Sequence, residues 1–235
     1  MIQGLNTHGI KNASLSLAYM YRMFVRDYKV YLFDRRPIVD STITIKDMAN
    51  DLAEIMYALN IKDAYILGVS QGGMIAQQLA IDHPALVNKL VLAVTLSRNN
   101  DVVENVINHW INLTKQGKMK ELIEDMAIKM YSKQYIKRYK PFLPLLTYIQ
   151  KPKDVERFIN LSRSCLTCQT YQDLNKIKCP VFVIGGKLDQ VVGESSSIEL
   201  AQQLNCDLYM YEHLGHACYG EAKDFNQKVK DFFDQ

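Results

Sequence analysis

In the first part of the chain, short continuous apolar runs alternate with stretches whose apolar positions recur every three or four residues. "YKVYLFD" (28–34), "AYILGV" (64–69) and "KLVLAVTL" (89–96) are too short for helices and read as buried strands. "IKDMANDLAEIMYALN" (45–60) has helical spacing. So does the stretch after Val69, where Met74, Ile75, Gln78, Leu79 and Asp82 fall at helical intervals until Pro84 stops them. Parallel strands need crossovers of this kind, so the region predicts part of a parallel sheet with helices on its faces. The alternation resumes at strand "CPVFVIGG" (179–186). It continues through helix "SSSIELAQQLN" (195–205), strand "CDLYMYE" (206–212) and a terminal helix "EAKDFNQKVKDFFDQ" (221–235).

Between Ser97 and Asp173 the alternation stops. "VVENVINHWINLTK", "MKELIEDMAIKMYS", "KQYIKRYK" and "PKDVERFINLSRSCLTC" read there as consecutive amphipathic helices. The pattern predicts an α/β class: a mostly parallel sheet flanked by helices, its core formed by residues 1–96 and 174–235, with a helical insertion over 97–173. A helical block entering after a sheet strand is placed to cover one end of the sheet.

Composition narrows the function classes. A chain of 235 residues with 48% apolar and 23% charged residues can bury one core, and a formal charge of +3 gives no case for nucleic acid or an anionic membrane as partner. Five cysteines, at 165, 168, 179, 206 and 218, are an odd set without a disulfide framework. No stretch approaches membrane-spanning length, and "MIQGLNTHGI" has no basic region followed by an apolar one, so a cytoplasmic protein with reduced thiols is expected. No glycine-rich phosphate loop or nicotinamide fingerprint appears, and no cofactor or metal is expected.

Candidate chemistry gathers at strand ends. Ser70 lies between the strand Ala64–Val69 and the helix after it, with Gly68 before and Gly72 and Gly73 behind, so its oxygen can stand clear of neighbouring side chains. A serine hydroxyl is a weak nucleophile unless a base takes its proton and a carboxylate orients that base. Open parallel sheets carry functional groups beyond the carboxyl ends of their strands. Asp189 follows "VFVIGG" and His216 follows "LYMYE" in that position. Asp207 opens its strand and Asp173 precedes the sheet's return, so neither is placed to meet His216. His213 reads as a strand-end residue; as a metal pair with His216 it lacks a nearby third ligand. "CLTC" (165–168) has redox spacing but sits in the helical insertion with no strand before it, and the basic "KQYIKRYKPF" reads as a solvated helix face.

The order Ser70, Asp189, His216, with "GVSQGG", "GGKLDQVV", "LGHACYGE" and the helical insertion, resembles the α/β-hydrolase fold family of the esterase and lactonase type. The resemblance implies Ser70 as nucleophile, His216 as base, Asp189 as its orienting acid, and the insertion as a cap. It also implies an oxyanion hole of two backbone N–H groups, one from Gln71 and one from Leu5 after "IQG", with Ile10 after "THG" as the alternative. Gln3 stands where such enzymes often have histidine, the strand pair that usually precedes this turn has no counterpart here, and Arg36 and Pro37 replace a glycine-containing turn after Asp34. An exposed sheet edge at this end predicts self-association or a poorly ordered oxyanion loop. The expected activity is cleavage of a small carboxylic ester, thioester or lactone. A C–C bond hydrolase or perhydrolase with the same triad, and a non-catalytic ligand-binding protein, are the alternatives. Met119, Met126, Met130, Tyr131, Trp110 and Phe142 are candidates for an adaptable apolar pocket or for plain packing in the insertion.

Overall fold

The computed structural model describes residues 1–142 and 149–235; the part of the helical insertion at 143–148 lies outside the described residues. Its sheet has four strands, β1 (Ala64–Val69), β2 (Val87–Ala93), β3 (Val181–Gly186) and β4 (Asp207–Tyr211), in that spatial order. Each pair is parallel, and Leu67, Val91, Phe182 and Asp207 stand in one row across the sheet. Alternate side chains enter opposite cores, as the period of a strand requires. Ile66, Leu90, Leu92 and Val183 face one apolar cluster, while Leu67, Val69, Val91, Ala93 and Ile184 face the other.

Helices cover both faces. On the first pack α2 (Ile45–Ala58) and α3 (Gln71–Asp82), named in order after α1 (Ile10–Met20), which belongs to the second face. The block between β2 and β3 contributes α4 (Asp101–Lys115), α5 (Met119–Met130), α6 (Lys133–Tyr139) and α7 (Val155–Cys165). After β3 come α8 (Glu194–Leu204) on the first face, then the short α9 (Cys218–Glu221) and α10 (Phe225–Asp234) on the second. The starts are chemically specified. Thr44 opens α2 with a reciprocal capping box, its hydroxyl accepting from the Asp47 N–H (3.1 Å) while the Asp47 carboxylate accepts from the Thr44 N–H (2.9 Å). Asn100 and Asp154 cap α4 and α7 in the same sense. Among the described residues no helix is long and apolar enough to cross a membrane.

Three boundaries differ from the sequence expectation. The apolar run 89–96 leaves the sheet at Ala93, because Val94 takes a left-handed φ of 46°. The terminal helix is divided into α9 and α10 around Ala222–Asp224. Residues 28–34 form no regular strand. Met1 and Ile2 lie between them and β1: the Met1 amine donates to the Tyr31 carbonyl (3.0 Å), the Ile2 N–H donates to the Leu67 carbonyl (2.8 Å), and the Val69 N–H donates to the Ile2 carbonyl (3.0 Å). The segment still buries side chains, Val30 and Leu32 against one core and Phe33 against the other. Beside it a cleft of about 280 Å³ opens between Tyr31 and Tyr65.

Ile2 and Gln3 also press on the start of α3. A Cβ built on Gly72 would lie 2.1 Å from the Ile2 carbonyl oxygen and 2.6 Å from that of Gln3, a clash with backbone that no rotamer change relieves. Gly72→Ala is therefore expected to lower stability by about 1–3 kcal/mol in urea unfolding. Gly220→Ala, where an added Cβ meets nothing within 4 Å, is the matched control and should leave the midpoint unchanged or slightly raised. Equal midpoints for the two variants would contradict this packing.

Candidate active site

The site starts from the backbone of Ser70. At the carboxyl end of β1 this residue adopts φ 54° and ψ −121°, a region costing about 1–3 kcal/mol for a residue with a side chain. Its surroundings hold it there. The Ser70 N–H donates to the Ala93 carbonyl (2.9 Å), while the Ser70 carbonyl accepts from the Thr95 hydroxyl (2.8 Å) and from the N–H groups of Gly73 (2.8 Å) and Met74 (3.2 Å). The turn throws Oγ above the sheet.

Two loops at the same edge supply the partners. The His216 Nε2 lies 3.0 Å from Ser70 Oγ, and its Nδ1 lies 2.8 Å from Asp189 Oδ2. A neutral imidazole carrying its proton on Nδ1 satisfies both contacts, donating to the carboxylate and accepting from the serine hydroxyl. The other carboxylate oxygen accepts from the N–H groups of Val191 (2.8 Å) and Val192 (3.0 Å), so Asp189 is buried with both oxygens engaged. His216 is buried as well, and its loop is tied to the insertion: the Ala217 N–H donates to the Met130 carbonyl at the end of α5 (2.8 Å), and Ser132 donates through its N–H and hydroxyl to Glu221. The three residues singled out from sequence thus meet in one hydrogen-bonded line.

The N-terminal turn faces them. A Cβ on Gly4 would sit 3.2 Å from Ser70 Cβ, which places the Gly4 backbone directly against the serine. Leu5 follows and lines the same cavity. Among the described residues the N–H groups of Leu5 and Gln71 donate to no protein acceptor. The Ile10 N–H is engaged elsewhere, donating to Asp34 Oδ2 at 2.7 Å as the first turn of α1 begins.

The cavity containing Ser70 and His216 is about 30 Å³, room for a water molecule or two. Of the apolar candidates in the insertion, Trp110, Met126 and Met130 line it. Met119 packs into the core instead, and Phe142 is exposed on the surface. Met74, Val103, Ile107 and Tyr219 also line it; they passed unnoticed in the sequence because their spacing is that of ordinary core positions. Trp110 is fixed by donating its indole N–H to Asp125 (2.8 Å). The remaining histidines are elsewhere: His213 is exposed, His8 contacts the Ile149 carbonyl, His83 meets the Tyr57 ring edge-on, and His109 lies near Asp125. Asp173 pairs with Lys176 (2.7 Å) and Asp207 opens β4.

Comparison with known proteins follows the same line. The family model described as the alpha/beta hydrolase fold matches residues 6–222. RutD of Caulobacter sp. (strain K31), provisionally named a carbamate hydrolase, is 25% identical over 87% of this chain and 80% of its own length. Two solved structures share the fold. One is MGS-M2, an alpha/beta hydrolase from a Medee basin deep-sea metagenome library (TM-score 0.83, 22% identity, 100% of this chain and 88% of that one). The other is the enol-lactonase of Burkholderia xenovorans LB400 (TM-score 0.83, 21% identity, 94% of this chain and 87% of that one).

The "CLTC" thiols are free and buried at the end of α7. Burial pushes both Cys165 and Cys168 up to about 12. At pH 8 only about one such thiol in ten thousand is ionised, and the thiolate is the reactive form. Iodoacetamide at pH 8 should leave the peptides holding Cys165 and Cys168 unmodified in the native protein and alkylate them fully in urea. Rapid alkylation of either in the native state would contradict the buried placement.

Proposed function

The chain belongs to the alpha/beta hydrolase fold family, and on that premise we propose that it is a serine hydrolase cleaving a small carboxylic ester, thioester or lactone through an acyl-enzyme. One observation carries the reading: a buried His216 within hydrogen-bond reach of both Ser70 Oγ (3.0 Å) and Asp189 Oδ2 (2.8 Å). Ser70 attacks the carbonyl carbon while its proton passes to His216 Nε2. The imidazolium so formed is stabilised by Asp189, whose other oxygen is held in place by the N–H groups of Val191 and Val192. The N–H groups of Gln71 and Leu5 take the developing oxyanion. Nε2 then returns the proton to the leaving oxygen or sulfur. Water deacylates the serine by the same steps in reverse.

The helices between β2 and β3 serve as the cap. Trp110, Met126 and Met130 give the acyl side an apolar wall with no acidic, lysine or arginine side chain among the described residues lining it, which suits a short uncharged acyl group. Because the cavity holds little more than water, binding of an ester is expected to displace side chains of its wall. The likeness to RutD extends the class to carbamates, whose carbonyl carbon is open to the same attack.

A fluorophosphonate probe and a p-nitrophenyl ester series test this. The probe should label Ser70 in the parent chain and not in Ser70→Ala. Turnover of p-nitrophenyl acetate should fall at least about 10³-fold in Ser70→Ala and in Asp189→Asn. Acetate should exceed hexanoate in kcat/KM. A folded parent that is not labelled but retains a ligand tightly would establish the non-catalytic alternative instead.

A further inference from the structure

Arg35 follows Asp34 at the end of the extended segment and turns its head inward. One nitrogen, Nη2, donates both to the Gln3 carbonyl and to Gln71 Oε1 (3.1 Å). Gln71 is anchored at its other end, Nε2 donating to the Leu161 carbonyl (2.7 Å) and Ser164 Oγ (3.2 Å). The remaining Arg35 nitrogens, Nε and Nη1, are sealed from solvent and have no partner among the described residues, although the residue as a whole keeps some exposure. The titratable groups around it are Asp34, Arg157 and the Cys165 thiol, the last of these protonated. Asp34 is itself occupied by the N–H groups of Ile10 and Arg35 and lies 3.8 Å from Arg157.

A buried guanidinium with two unsatisfied nitrogens adds little to a fold, and apolar replacements of buried charges are often neutral or stabilising. What this one does is join two segments. Gln3 lies two residues before Leu5, and the Gln71 side chain grows from the residue whose N–H is the other proposed donor. We propose that Arg35 is a positioning residue of the oxyanion hole, its Nη2 clamping the Gln3 carbonyl to the Gln71 side chain so that the N–H groups of Leu5 and Gln71 converge. Its charge acts in the same direction: burial pulls the guanidinium down to about 10, so it is still protonated at neutral pH and contributes positive potential beside the oxyanion. This inference rests on the serine-hydrolase reading.

Arg35→Met and Arg35→Lys, assayed with p-nitrophenyl acetate and titrated with a trifluoromethyl ketone that forms a tetrahedral oxyanion on the serine, test it. In Arg35→Met, kcat should fall about 10- to 100-fold with KM within about twofold. Affinity for the ketone should fall by the same factor, and fluorophosphonate should still label Ser70. Arg35→Lys, which keeps the charge but loses the planar fork, should recover part of kcat and part of the ketone affinity. Unchanged kcat and ketone affinity in a labelled variant would overturn the positioning role while leaving the serine-hydrolase reading intact. A drop in kcat with ketone affinity unchanged would overturn it too. A folded parent that fluorophosphonate does not label overturns the underlying reading before any Arg35 variant is made. If circular dichroism shows Arg35→Met unfolded, the same comparison on Arg35→Lys decides: reduced kcat and ketone affinity support the clamp, parent-like values refute it.

Discussion

The molecule is organised around one strained residue. Ser70 sits at φ 54° where the chain leaves β1 for α3, and that conformation persists only because several groups impose it together. The neighbouring strand fixes its N–H through Ala93, Thr95 and the first turn of α3 fix its carbonyl, and the bare backbones of Gly4 and Gly72 let the N-terminal turn and the helix approach closely. Release of any of these lets the turn relax toward ordinary backbone, and Oγ then moves away from His216. Gly68 and Gly72 are therefore requirements of contact, set by carbonyl oxygens lying where a Cβ would go, while at Gly73 the Thr95 side chain takes that place.

The charge arrangement depends on the same edge of the sheet. Asp189 and His216 come from the loops after β3 and β4, and the buried carboxylate accepts from two backbone N–H groups on one oxygen and faces the imidazole with the other. The His216 loop is bonded to the carboxyl end of α5 through Met130 and to Ser132 beyond it. Two wall residues of the small cavity, Met126 and Met130, belong to that helix. The α5 wall of the cavity is thereby joined to the segment carrying the residue proposed as the base through specific hydrogen bonds rather than by proximity alone.

Most of this was legible in the sequence where short-range rules apply. Strand ends and helix starts are marked by pattern, and functional groups in parallel sheets gather at one edge, so Ser70, Asp189 and His216 could be named before their contacts were known. The failures have a common cause, since each depended on what lies beside a segment in space. "YKVYLFD" has the apolar content of a strand, yet it packs side chains against both cores without forming a ladder. The helix Ile10–Met20 went unnamed because small and polar residues dilute its apolar face, although Ile10, Ala13, Leu17 and Met20 keep helical spacing. Arg35 stood out for no role in the sequence for a different reason: only the fold shows that the two arginines of "DRRP" part, Arg36 outward to Asp51 and Arg35 inward to Gln3 and Gln71.

The central claim is that Ser70, activated by His216 and Asp189, becomes covalently acylated during turnover. Rapid mixing with p-nitrophenyl acetate, acid quenching within the first turnover and mass analysis of the digested protein test it directly. The account predicts one added acetyl group on the peptide containing Ser70, forming in step with the first equivalent of p-nitrophenol and disappearing as substrate is exhausted. p-Nitrophenol release with the acetyl group on another residue, or with no acyl-enzyme at any quench time in a variant slowed in deacylation, would contradict it.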